Sequence, residues 1–193
     1  SSDLTGIYLK LGTKTLYAGD LTYAYLDELA GLYSDYPGYN TNAVFNQSIV
    51  FDYENMFLSK KNGIYSAMYN VIANINNFLE YVDKNKDVLV TERYYETMKG
   101  EALGLRAFLH FDLLRMFGPI YKEHPASKAI PYRTTFDKDA TPVLSANEVV
   151  DAILKDLNAA EKLLKESDPL HFFTDQMGEE LTEINQFLIN REF

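Results

Sequence analysis

Apolar side chains recur at helical spacing in the middle of the chain. Over residues 60–82 they form one stripe, spaced three or four residues apart: Ile64, Met68, Val71, Ile75, Phe78 and Val82. This spacing predicts an amphipathic helix. A second helix is predicted over 91–117, with Thr91 as its N-cap. It ends at Gly118-Pro119, because proline cannot continue a helix.

The second predicted helix is apolar on nearly all sides from residue 102 onward. Such a helix needs neighbours on most of its faces, and only a short polar turn separates it from the first helix, so an antiparallel pair is predicted. Gly100, Gly104 and Ala107 form a strip of small residues where another helix could approach closely. The prolines and charged residues of 119–144 predict an irregular excursion, with a short extended piece at 129–132.

A third helix is predicted over 145–166, because Ser145 and Glu148 have the spacing of a capping box. Its apolar stripe consists of Val149, Ile153, Leu157, Ala160 and Leu164. Its charged residues are expected to face water: Asp151, Lys155, Asp156, Lys162 and Lys165. The apolar stripe must be covered by another element, because its burial is favourable at about 25 cal/mol per Å².

The ends of the chain are less regular. Short helices are predicted at 4–11 and 21–33, and the tail has a weak amphipathic pattern at Ile184, Phe187 and Leu188. The predicted fold is therefore all-α with long irregular loops.

One domain overall is predicted, in three parts. Residues 1–59 hold the short helices and a loop rich in Tyr and Asn, 60–166 hold the helical core with its excursion at 119–144, and 167–193 form the tail.

Composition excludes several classes of function. Acidic residues exceed basic ones by 28 to 18, and the basic residues do not cluster, so nucleic acid is not an expected partner. No apolar run reaches the roughly 18 residues of a membrane span, and the N-terminus does not read as a signal peptide. With no cysteine there is no disulfide or thiol chemistry.

No catalytic pattern is present. The sequence lacks GxSxG, HExxH, P-loop and GxGxxG motifs, and its His, Asp and Glu residues show no metal-ligand spacing. We therefore expect no catalytic residue, no metal and no cofactor. Four polar residues on apolar helix faces are expected to be buried and structural, with the charged ones paired: Asn76, Glu101, Arg106 and His110.

The segment 33–53 is the best candidate for ligand contact. It combines aromatic rings with neutral amides, and the residues singled out are Tyr33, Tyr36, Tyr39, Asn40 and Asn42. Rings stack on the C–H faces of sugars, and amides hydrogen-bond hydroxyls without the desolvation cost of a full charge. The same residue types are also common in plain turns and loops, so the composition alone leaves both interpretations open.

The second helix and its surroundings resemble the SusD/RagB family. The resemblance rests on the continuous run KGEALGLRAFLHFDLLRMFGP at 99–119, on IYSAMY at 64–69, on NNFLE at 76–80 and on AIPY at 129–132. It covers about residues 60–166.

The resemblance implies a helical scaffold of tetratricopeptide-like antiparallel pairs. It also implies a non-enzymatic, lipid-anchored protein of the outer-membrane cell surface, which binds a glycan (a peptide in some branches) and delivers it to a TonB-dependent SusC-like transporter. The lipobox cysteine of the family is absent from this chain, so any membrane anchor lies outside it. Family members are more than twice this length, so the chain is expected to be the N-terminal portion of a longer protein.

Two other functions stay open. The chain could be a helical scaffold that docks a transporter or a peptide without a sugar site of its own. An enzyme would require a deep pocket with carboxylates of perturbed pKa, whereas a shallow platform lined by tyrosine favours a glycan.

Overall fold

The computed structural model describes residues 2–32, 56–89 and 93–167. Over these ranges the chain forms five helices and two strands: α1 (Ser2–Leu11), α2 (Tyr25–Leu29), α3 (Met56–Lys84), α4 (Tyr94–Phe117), β1 (Lys128–Pro131), β2 (Val143–Ser145) and α5 (Ala146–Ser167). A 3-10 turn at Lys86–Val88 follows α3. Helix predominates and the only sheet in the described ranges has two strands, which confirms the predicted all-α class.

The chain divides into two compact units, one of which is Gly6–Val71. Within it, consecutive turns lead from α1 to α2 and bury Leu16, which is 1% exposed. The buried carboxylate of Asp20 forms an ion pair with Lys60 of α3. The turns of this unit are thus tied to the first part of α3 by a charge pair as well as by apolar packing.

The helix predicted over 21–33 is shorter than expected, since within the described residues 21–32 only Tyr25–Leu29 is helical. Before it, the N–H of Tyr23 donates to the carbonyl of Gly19, so this stretch continues the turns. After it, Gly31 has φ +69, in the left-handed region that glycine adopts without steric cost, and this stops the helix.

The second unit takes the chain from Ile72 onward together with the first residues of α1. In it α3 and α4 run antiparallel, as predicted. Near their connection Lys99 Nζ lies 2.6 Å from Asp83 Oδ1, and farther away Arg106 Nη1 donates to Asn76 Oδ1 at 2.9 Å. Successive contacts therefore move backward along α3 as they move forward along α4.

The start of α4 differs from the prediction. The expected N-cap Thr91 lies outside the described residues, and the helix begins at Tyr94. Arg93 immediately before it has φ 63, in the left-handed region. A right-handed helix cannot continue through such a residue, so the predicted start at residue 91 is too early.

The start of α5 agrees with the prediction. The backbone N–H and the hydroxyl of Ser145 both donate to Glu148 Oε2 at 2.7 Å, and the N–H of Glu148 lies 3.4 Å from Ser145 Oγ. This is the predicted capping box. Ser145 also ends β2, which pairs antiparallel with β1. The sequence predicted the extended piece at 129–132 but not its pairing.

Antiparallel helices α4 and α5 are in close contact at Gly100. A Cβ added there would lie 2.8 Å from Leu164 Cγ and 3.2 Å from Leu163 Cβ. The small-residue strip predicted on α4 therefore serves at this position to admit α5.

Replacing Gly100 by alanine should destabilise the protein, because the added methyl forces the two helices apart. We expect a loss of about 1–3 kcal/mol, measured by urea unfolding. Gly63 on α3 is a matched control, since nothing lies within 4 Å of the Cβ it would gain. Gly63→Ala should raise stability by about 0.5–1 kcal/mol through helix propensity. Equal effects of the two substitutions would contradict the tight contact at Gly100.

Candidate functional site

Arg106 lies at the centre of a buried polar cluster in the second unit. Its side chain extends from α4, and the residue is 7% exposed. The guanidinium donates to both carboxylate oxygens of Asp156 on α5, from Nε at 2.7 Å and from Nη2 at 2.8 Å. Its Nη1 donates to Asn76 Oδ1 on α3. One side chain thus connects all three long helices, and its bidentate geometry makes the strongest kind of ion pair.

The same cluster holds the excursion against the helices. Tyr132, directly after β1, donates its hydroxyl to Asp156 Oδ2 at 2.6 Å. Asn76 Nδ2 donates to the carbonyls of Arg133 and Thr135, at 3.1 and 3.2 Å. Because Asn76 accepts from Arg106 through its oxygen and donates through its nitrogen, both ends of the amide are used, as buried amides require.

His110 lies one turn after Arg106 and is 0% exposed. Its Nε2 accepts from the backbone N–H of Arg133 at 3.1 Å, so the proton resides on Nδ1, which donates to the carbonyl of Arg106 at 2.8 Å. The imidazole stacks on the ring of Tyr132, with centroids 3.9 Å apart. A neutral histidine satisfies both hydrogen bonds.

Burial and charge set the protonation states in the cluster. Burial lowers the pKa of His110 to about 4, helped by the positive charge of Arg106, although the hydrogen bond to the Arg106 carbonyl opposes this. Burial also disfavours the charge of Arg106, but its hydrogen bonds and ion pair with Asp156 outweigh burial and raise its pKa. Burial, together with the carboxylate of Asp156, raises the pKa of Tyr132.

This arrangement is suited to structural support rather than to catalysis. The charges of Arg106 and Asp156 are matched, and the donors of Tyr132 and Asn76 are committed to partners inside the protein. None of these contacts leaves a group poised for proton transfer. Glu101, on the same helix, is also buried, at 1% exposure.

Sequence reasoning missed Asp156 and Tyr132. Asp156 was expected to face water, but it is 7% exposed. The buried face of α5 follows Ala146, Val149, Ile153, Asp156, Ala160 and Leu164, and it excludes Leu157, which is 43% exposed. The only signal available was Arg106, a charge on the apolar face of the second helix, which required an acid from elsewhere.

An apolar groove lies between α4 and α5 on their outer side. Small residues and rings from α4 face aliphatic side chains of α5, and the lining is Gly104, Ala107, Phe108, Phe111, Val150, Ile153, Leu154 and Leu157. The groove encloses about 360 Å³. Phe108, Phe111 and Leu154 remain 42–50% exposed, so the predicted all-apolar character of α4 produces an open apolar surface here.

The predicted ligand contacts Tyr33, Tyr36, Tyr39, Asn40 and Asn42 lie outside the described residues. The structure therefore brings together the predicted buried residues Asn76, Arg106 and His110 and does not describe the segment proposed for ligand contact. Within the described ranges no group of His, Asp and Glu residues is placed to hold a metal ion. In the same ranges no helix combines the length and the apolar content that crossing a membrane requires.

Comparison with known proteins relates the chain to one family. The profile of the SusD-like family described as starch-binding associating with outer membrane matches residues 13–175. SusD-like protein P38 of Formosa agariphila is 44% identical over 75 residues, which are 37% of this chain and 13% of that protein.

Solved structures share the fold. A candidate sugar binding protein of Bacteroides vulgatus is 27% identical, with a TM-score of 0.66, over 84% of this chain and 36% of its own. A SusD superfamily protein of Bacteroides thetaiotaomicron is 18% identical, with a TM-score of 0.65, over the same shares of the two chains. The chain thus spans about a third of the length of these structures, and the likeness confirms the expected tetratricopeptide-like helical fold.

Replacing Arg106 by leucine should destabilise the protein by about 3–5 kcal/mol, because the substitution leaves the charge of Asp156 buried without its partner. Equilibrium unfolding in urea measures the loss. Arg115, paired with Asp112 at 3.2 Å on an exposed part of α4, is the control, and Arg115→Leu should cost less than about 1 kcal/mol. Similar losses for both variants would rule out a special role for the Arg106 pair.

The stability of the protein should fall between pH 7 and pH 5 in a way that depends on His110. The folded pKa of about 4 is below the unfolded value of 6.5, so the unfolded state binds a proton first as pH falls. The stabilising contribution of neutral His110 is therefore fully present above pH 6.5 and is lost as the pH falls toward 4. We expect His110 to account for about 2 kcal/mol of the loss by pH 5.

The measurement compares unfolding free energies at the two pH values in the wild type and in His110→Gln, which should lack this component. His124 is exposed in the excursion, and His124→Gln should keep the wild-type pH dependence. An unchanged pH dependence in His110→Gln would contradict the buried neutral state.

Proposed function

Because the chain belongs to the SusD-like family, we propose that it is part of a non-enzymatic protein that binds carbohydrate at the outer membrane. The observation that carries the proposal is the family match, which runs through both units from residue 13 to residue 175. The starch-binding description of the family and the sugar binding relative from Bacteroides vulgatus support carbohydrate as the ligand class.

The buried polar cluster supports a binding role over an enzymatic one. Its members are used to hold helices and excursion together, and the ionisable groups within it are locked in the states that burial and pairing favour. General acid–base catalysis requires groups that can exchange a proton with a substrate at working pH. The histidine with the lowered pKa is instead closed in behind Tyr132 and the backbone of Arg133.

We assign ligand contact to the segment that contains Tyr33, Tyr36, Tyr39, Asn40 and Asn42. Its rings and amides suit a neutral sugar, which presents C–H faces for stacking and hydroxyls for hydrogen bonds. The net charge of −10 also favours a neutral ligand over an anionic one.

Delivery to a SusC-like TonB-dependent transporter is the second part of the proposal. The family description of association with the outer membrane supports this location. The protein would hold the glycan at the cell surface, attached through a lipid anchor that lies outside this chain, and pass it to the transporter.

The alternative is a helical scaffold that docks a transporter or a peptide without a sugar site of its own. The open apolar groove between α4 and α5 favours this alternative, because apolar surface of this kind binds protein more readily than sugar. A protein that binds the transporter but binds no glycan would support this alternative.

Substituting Tyr39 or Tyr36 by alanine should weaken glycan binding by about 1–2 kcal/mol each, because a stacking ring is removed. A glycan array first identifies a ligand, and calorimetry then compares the variants with the wild type. Tyr121→Ala is the control, since Tyr121 is a tyrosine of the excursion with 46% exposure, and it should leave affinity unchanged. Unchanged glycan affinity in both test variants would contradict the assignment of ligand contact to this segment.

A further inference from the structure

The hydrogen bonds of the buried polar cluster form two sets. One set joins helix to helix, through the bidentate pair of Arg106 with Asp156 and the bond from Arg106 to Asn76. The other set joins the helices to residues 132–135 of the excursion. No bond of the first set involves the excursion, so the second set can break while the first stays intact.

Residues 130–135, called the latched segment below, cover a polar part of the helices. Two of its side chains are buried, Ile130 at 1% exposure and Tyr132 at 7%. The groups that it bonds on the helices are polar: Asn76, Arg106, His110 and Asp156. Water can replace the segment as the hydrogen-bond partner of these groups. Lifting the segment therefore exposes little apolar surface, and such local opening costs less free energy than unfolding the whole chain.

His110 makes the one bond to this segment that requires a neutral imidazole. Its Nε2 accepts from the backbone N–H of Arg133 at 3.1 Å, and its Nδ1 faces the carbonyl of Arg106 at 2.8 Å. A proton on Nε2 would turn the acceptor into a donor that points at another N–H, and the bond would be lost. The ring is 0% exposed, so the proton would also place a charge in the interior.

The groups that face the imidazole come from several elements. Burial is the main cause of its low pKa; the positive charge of Arg106 adds to this effect, and the carboxylate of Asp156 on α5 opposes it. The excursion contributes the stacked ring of Tyr132 and also Arg133, whose guanidinium donates within the excursion. Helix α3 contributes the neutral amide of Asn76 to the cluster. Together these surroundings keep the imidazole neutral while the segment is closed.

We propose that His110 and the backbone of Arg133 form a pH-sensitive latch, which releases the latched segment on acidification while α4 and α5 stay packed. Tyr132 and Arg133 cover the imidazole from the excursion side, so lifting them exposes it to water. The exposed ring takes up a proton, and the protonated ring cannot accept the N–H of Arg133 again. Because the pKa is about 4 when the segment is closed and 6.5 when the ring is exposed, opening increases as the pH falls from 6.5 toward 4.

Hydrogen–deuterium exchange of the full chain, followed by mass spectrometry at pH 7 and pH 5, tests the latch. Exchange rates are corrected for the intrinsic pH dependence of amide exchange. The two pKa values predict that the latched segment opens about twentyfold more at pH 5 than at pH 7, while peptides from α4 and α5 keep their protection. In His110→Gln the amide oxygen can still accept the N–H of Arg133 but does not titrate, so opening should be equal at both pH values.

Tyr132→Phe is the matched control. It removes the hydroxyl that donates to Asp156 but keeps a ring against the imidazole. We expect more opening of the latched segment at both pH values, with the wild-type ratio between them.

Three results would overturn the proposal. Loss of protection in α4 and α5 by the same factor as in the latched segment means that the chain unfolds as a whole. Wild-type opening that does not change with pH means that the imidazole is not linked to the segment. A twentyfold ratio that persists in His110→Gln assigns the response to another group. The first two results come from the wild type alone, so they decide the matter even where a variant fails to fold.

Discussion

The ion pair between Arg106 and Asp156 is the interaction on which the rest of the second unit depends. It lies where α3, α4 and α5 meet, and the groups around it are arranged to satisfy it: Asn76 on one side and Tyr132 on the other. Buried ion pairs of this kind contribute little net stability compared with apolar packing, but losing one partner is severe. Its role is therefore to fix which parts of the chain meet at this point.

The excursion at 119–144 is held in position by this ion pair and by the polar groups around it. Only a few of its side chains are buried, chiefly Ile130 and Tyr132. The carbonyls that follow Tyr132 instead accept hydrogen bonds from Asn76 and Arg106, and the N–H of Arg133 donates to His110. Because these bonds go to the backbone, they hold the loop in place whatever side chains it presents to solvent. A rigid helical scaffold that fixes a variable loop is a common basis for binding proteins.

The sequence was sufficient where the signal is local. The capping box of Ser145 and Glu148 and the long apolar stripe of α3 each depend on residues a few positions apart, and both agree with the structure. It was insufficient where the outcome depends on packing. Asp156 and Leu157 are adjacent in the sequence, and the hydrophobic periodicity predicted that the leucine would lie on the buried face. In the structure the aspartate is buried instead, because it pairs with Arg106, fifty residues earlier. The prediction of where α4 begins was wrong for another reason, because the left-handed conformation of Arg93 has no sequence signature.

The distance along the chain between the members of the cluster has a consequence for folding. Asn76, Arg106 and Asp156 come from three different helices and Tyr132 from the excursion, so the network can close only after all four segments have docked. Apart from the tight contact at Gly100, helices α4 and α5 pack through apolar side chains, which penalise a slip of one turn less than a charge pair does. Such a slip would place Arg106 opposite Ala152 or Ala160 in place of Asp156 and strand two charges in the interior. The charge pair therefore specifies the helix register, because it disfavours alignments that the apolar contacts alone would penalise less.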